Sequence, residues 1–138
     1  MDYLYETYIK TEKQREWFDK IDTLAGGFAK RADTYDQKGE FPFENVDELK
    51  QAGYLSLTVP TEFGGEGLSL YEFVLLQERI ATGDAATALC LGWHLGCFLE
   101  LAEERTWDEE TFKTLCEKVV YEQILVNRAA TEPATGSP

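Results

Sequence analysis

The feature that most restricts the fold is a run of 15 residues, AATALCLGWHLGCFL at 85–99, without an aspartate, glutamate, lysine or arginine. It lies in a chain of 138 residues with 26 acidic and 13 basic side chains, a formal net charge of -13. The run is shorter than the roughly 17 to 25 apolar residues that cross a bilayer. The expectation is therefore a helix buried on nearly every side in the centre of a bundle, with no membrane partner. Asp84 stands directly before it as a helix cap.

Helical periodicity continues on either side. Over residues 11–37, Phe18, Ile21, Ala25, Phe28, Ala32 and Tyr35 recur at three and four, which predicts one long amphipathic helix, opened by a Thr11/Gln14 capping box and closed at Gly39. Gly26 and Gly27 inside it cost about 1 kcal/mol each relative to alanine, so either a neighbour packs closely there or the helix bends. Pro42 opens a short helix with Val46, Leu49 and Ala52 inward, ended by Gly53. YLSLTVPTEFGGEGLS follows as an ordered loop requiring unusual backbone angles, and with no Gly-Lys-Ser/Thr it is not a phosphate loop. A Ser69/Glu72 box starts a helix with Phe73, Val74, Leu76, Ile80 and Ala81 as its apolar stripe. A Thr106/Glu109 box starts another, carrying Phe112, Leu115, Cys116 and Val119. From Tyr121 the helical period is lost and the chain reads as extended. Its last ten residues, AATEPATGSP, read as a loop belonging to something larger.

The acidic balance repels nucleic acid, so no nucleic-acid partner is expected. Cys90, Cys97 and Cys116 are odd in number and lack C-x-x-C spacing; they read as reduced, buried thiols in a cytoplasmic protein. MDYLYETYIK has no basic flank followed by an apolar run, so no secretion signal is expected. His94, the single histidine, has Cys90, Leu91, Cys97 and Phe98 at helical spacing, which argues for a core or pocket-lining residue rather than a metal ligand. Glu132, between Thr131 and Pro133, reads as a structural acid ordering a turn.

Four pieces, LKQAGYLSLTVPTEFGGEGLS, a capped helix, IATGDAATALCLGWHLG and ATEPATGS, resemble in order and spacing the N-terminal portion of the acyl-CoA dehydrogenase family. The resemblance implies an all-α fold, a bundle of about five helices over residues 1–120. A short extended segment, 121–138, would then begin a truncated middle β-domain. It implies FAD as cofactor and an acyl-CoA as substrate, in a full-length enzyme that is homo-oligomeric, with the electron acceptor unknown. Carried over residue by residue, the flavin contacts fall on Arg128, Ala129, Ala130, Thr131, Gly136 and Ser137, with Ser137 also near the acyl thioester. The acyl pocket falls on Ala88, Leu91, Gly92 and Leu95, which share one helical face. The family's catalytic glutamate lies downstream of Pro138, so the 138 residues alone are expected to be inactive and to bind FAD weakly or not at all. Pro138 stands where the family has aspartate, and Arg128 where it often has an aromatic. Flavin monooxygenases and nitroalkane oxidases share the fold, and a non-catalytic helical binding module is an alternative of another class.

Overall fold

The computed structural model of the chain describes residues 3–128. Ala129, Ala130, Thr131, Glu132, Gly136 and Ser137 therefore lie outside the described residues. Among the described residues the fold is all-α, without strands. Its helices are α1 (Tyr3–Glu6), α2 (Glu12–Ala29), α3 (Ala32–Lys38), α4 (Phe43–Gln51), α5 (Leu70–Gly83), α6 (Ala85–Glu104) and α7 (Glu109–Glu122). Two 3-10 turns, Tyr54–Ser56 and Thr61–Phe63, sit between α4 and α5.

The core is assembled from one face of each long helix. Phe18, Ile21, Ala25 and Phe28 of α2 meet Leu75, Leu76 and Ile80 of α5 in the most extensive helix contact of the fold. Leu91, Leu95 and Phe98 of α6 and Phe112, Cys116 and Val119 of α7 complete the interior. Tyr54, Leu55, Leu57 and Val59 fill it from the loop side. That loop is held by backbone bonds from Gly67 N to Val59 O (2.9 Å) and Leu68 N to Leu57 O (2.8 Å). Its turns use Gly64 at φ 89° and Gly67 at φ 60°, which explains the glycines there.

Several expectations need correction. The long helix of 11–37 is two helices, because Arg31 leaves the helical path at φ -123°, ψ -4°. Its guanidinium then meets α4, donating to the buried Asn45 Oδ1 (2.5 Å) and pairing with Glu44 (3.2 Å) and Glu48 (2.8 Å). The glycine at the close helix approach is Gly83 rather than Gly26 or Gly27: a Cβ built on Gly83 would lie 2.3 Å from the Ala25 carbonyl oxygen. At Gly26 and Gly27 a Cβ would meet nothing within 4 Å. Gly27→Ala is accordingly expected to stabilise the protein by about 0.5–1 kcal/mol, seen as a higher urea midpoint. An unchanged or lower midpoint would contradict this.

Three of the four expected N-caps stand in place, Thr11, Ser69 and Asp84, and one is shifted. Asp84 accepts from the Ala86 and Thr87 amides, and Ser69 with Glu72 forms the expected box. On α2, Thr11 accepts from Gln14 N, but the Gln14 side chain accepts from Lys10 N rather than closing on Thr11. On α7 the cap is Asp108, whose carboxylate takes the Thr111 amide at 3.0 Å, displacing the start expected at Thr106. Helix α7 continues to Glu122, past the point where extended chain was expected.

Candidate functional site

The uncharged run forms most of α6, but one side of that helix is bare. Leu91, His94, Leu95 and Phe98 point into the core, whereas Leu89 is 67% and Trp93 64% exposed. Cys90 is exposed as well, contrary to the expectation of three buried thiols; Cys97 and Cys116 are buried. Counting its charged end, α6 reaches 20 residues and is long and apolar enough to cross a bilayer by length and composition, with 39% of its apolar window buried. Helix α5 covers only one flank of α6, and it turns Val74 and Ala81 outward while Leu75 takes the inward position.

Between the two helices runs an open apolar groove of about 650 Å³, walled by Phe73, Val74 and Ala81 of α5 and by Ala88, Leu89, Gly92 and Trp93 of α6. A second hollow of about 630 Å³ shares Phe73, Gly92 and Trp93 with it and extends along Gly96, Cys97 and Glu100 to Arg128. Ala88 and Gly92 thus line the groove, while Leu91 and Leu95 lie beneath its floor, fully buried. Arg128, paired with Glu100, closes the far end. That pairing, hydrogen bond first and charge second, raises the guanidinium pKa, so it stays cationic.

Gln77 fixes the two walls. Its Oε1 accepts from the Tyr54 hydroxyl (2.8 Å) and its Nε2 donates to the Ala88 carbonyl (2.8 Å), bridging α5, α6 and the loop. Tyr54 is fully buried, and burial pushes its hydroxyl pKa strongly upward, so it remains a neutral donor. The Gln77 amide crosses directly over Gly92, where a Cβ would stand 2.7 Å from Nε2. The absence of a side chain at Gly92 therefore makes room for Gln77, which itself lines the groove. Sequence reasoning missed Gln77, Tyr54, Trp93 and Gly96; the available signal was an amide within the apolar stripe of α5, four residues after Phe73.

His94 is buried, as its neighbours implied, and each ring nitrogen has a partner: Nε2 lies 2.8 Å from the Leu55 carbonyl oxygen and Nδ1 3.0 Å from the Val126 amide nitrogen. Burial holds its pKa below the ordinary 6.5. Below pH 6.5 the unfolded chain then binds a proton that the folded chain refuses, so stability falls as pH drops through that value and levels off beneath the folded pKa. Urea midpoints are expected to decline from pH 8 to pH 5.5, and His94→Asn to flatten the decline. An equal decline in the variant would count against this source.

Among the described residues no cluster of histidine, cysteine or carboxylate side chains suits a metal. Helices packed in this order, with an apolar groove open along α5 and α6, define a helical domain that presents a ligand-sized concavity rather than a closed bundle. The chain belongs to the acyl-CoA dehydrogenase N-terminal domain family, whose pattern it matches over residues 11–109. It is 46% identical over 131 residues to the Bacillus subtilis (strain 168) protein named "Putative acyl-CoA dehydrogenase YdbM", covering 95% of this chain and 34% of that protein. It is 30% identical over 129 residues to the mitochondrial isobutyryl-CoA dehydrogenase of Bos taurus, covering 92% of this chain and 30% of that one. The fold superposes on the crystal structure of a nitrososynthase from Micromonospora carbonacea var. africana with a TM-score of 0.72 at 28% identity, over 80% of this chain and 29% of that chain. The chain thus spans about a third of the length of the relatives it matches.

Proposed function

We propose that this chain is the helical N-terminal portion of an FAD-dependent acyl-CoA dehydrogenase, acting in α,β-dehydrogenation of an acyl-CoA thioester once joined to the parts its relatives carry downstream. The observation that carries the reading is the apolar groove along α6, left bare by this chain in a family whose members are about three times as long. A monomeric domain has no physical reason to expose Leu89, Trp93 and Val74 side by side. A domain boundary just past Glu122, with the residues that follow opening a β-domain, belongs to the same proposal.

The residues fit a planar cofactor and an acyl chain. Gly96 leaves open floor, Phe73 and Trp93 supply aromatic walls, and Arg128 supplies a cation at one end. Bound FAD would supply a hydride acceptor. This chain's part is to bind and exclude water: Ala88, Gly92 and Trp93 would flank the acyl chain, with Leu91 and Leu95 holding the floor from below. Arg128, with the residues that follow it to Thr131 and with Gly136 and Ser137, would approach the flavin. A homo-oligomeric full-length enzyme completes the reading, and the three free cysteines suit a cytoplasmic compartment.

The test is a chimera in which this chain replaces the matching segment of the Bacillus subtilis relative. It is expected to bind FAD and to bleach it on addition of an acyl-CoA ester, and Gly96→Trp, whose Cβ would meet nothing within 4 Å and whose ring would fill the second hollow, to raise KM at least about tenfold, the effect of losing roughly 1.4 kcal/mol of binding. The 138 residues alone are expected to bind FAD weakly or not at all. Stoichiometric flavin on the isolated chain, or oxygen-dependent hydroxylation without bleaching in the chimera, would overturn the dehydrogenase reading, the second in favour of a monooxygenase.

A further inference from the structure

His94 joins two distant parts of the chain. Leu55 lies 39 residues before it and is fully buried in a 3-10 turn; Val126 lies 32 residues after it, in the segment that leaves α7 beyond Gln123. A carbonyl can only accept and an amide can only donate, so the two partners assign the ring: the proton sits on Nε2 and the lone pair on Nδ1. Phe98 packs edge-on at 5.2 Å and keeps the ring from turning. With one nitrogen anchored to the core, the other is aimed at the exit segment. The hydrogen bond from the Val126 amide thus ties the backbone of this stretch to α6.

We propose that His94 is a positioning residue that sets the course of residues 124–128 along α6, by presenting a lone pair whose direction is fixed through the Leu55 carbonyl. Its consequence, a defined approach of the following residues to a flavin at the groove, rests on the proposed function; the latch itself does not. A volume-filling histidine would need neither a particular tautomer nor a bond to Val126.

The test uses the 138-residue chain labelled with 15N, in which the single histidine gives unambiguous ring signals. Expected are a protonated Nε2, a bare Nδ1 coupled through the hydrogen bond to the Val126 amide, and Val126 exchange at least about tenfold slower than that of Asn127, the ratio for a bond of roughly 1.4 kcal/mol. His94→Asn keeps an acceptor near the Nδ1 position and is expected to retain most of that protection. His94→Gln keeps a donor near Nε2 and is expected to lose it. A proton on Nδ1, Val126 exchange as fast as Asn127 in the unaltered chain, or equal protection in the two variants would each overturn the proposal. The first two readings need no variant, so a substitution that fails to fold leaves the test decisive. None of them involves flavin, so a failed latch and a failed dehydrogenase reading are told apart.

Discussion

Phe98→Ala is expected to destabilise the protein by about 4 kcal/mol, in the range for removing a fully buried aromatic. Phe98 has no exposed surface, and its ring lies 5.2 Å from His94 and 6.5 Å from Phe112. Phe112 in turn meets Phe63 edge-on at 5.7 Å. The ring therefore ties α6 to α7 and, through Phe112, to the loop before α5. Truncation leaves a cavity at the junction of three elements, each pinned by its own caps and backbone bonds and so poorly able to collapse into it. Urea unfolding followed by circular dichroism measures the loss. A cost under about 1 kcal/mol would mean that the helices close over the gap, and the rigid junction described here would be wrong.

Gly83→Ala carries the second large effect, and its sign runs against intrinsic propensity. Alanine is the better helix former by about 1 kcal/mol, yet here its methyl would stand 2.3 Å from the Ala25 carbonyl oxygen and 2.9 Å from the Ala25 Cα. Both atoms are backbone within α2, so relief requires α2 and α5 to separate along their main contact. The expected loss is about 3 kcal/mol, the upper part of the range for overpacking. Because the same substitution at Gly27 is expected to stabilise, the pair separates packing from propensity within one protein. Equal midpoints for the two variants would refute the close approach.

Both effects arise where chain segments far apart in sequence meet, and there sequence reading lost detail. The apolar stripes of α2 and α7 were legible because helical period reports one buried face directly, as Phe18, Ile21, Ala25 and Phe28 show. The loop glycines were legible because Gly64 and Gly67 require left-handed backbone. The break at Arg31 was not, since its cause lies on α4, in Asn45, Glu44 and Glu48. Nor was the bare face of α6: lack of charge predicts withdrawal from water but does not name the covering surface, and within residues 3–128 nothing covers Leu89 and Trp93.

The candidate site divides in the same way. Of the four positions that the resemblance marks for the acyl pocket, Ala88 and Gly92 line the groove, whereas Leu91 and Leu95 are fully buried. Four positions on a helix span a broad arc, and only the placement of α5 decides where groove ends and interior begins. Gln77 was invisible because its partners, Tyr54 and the Ala88 carbonyl, come from other elements.

By itself the sequence determined that the chain is helical, where α2, α4, α5 and α6 start, and to which family it belongs, because these follow from local periodicity, capping and motif order. Tertiary structure alone decided which glycine admits a neighbouring backbone, which side of α6 stays open, and which tautomer His94 adopts. Those depend on atoms brought together from positions tens of residues apart, and no local pattern specifies the distance between them.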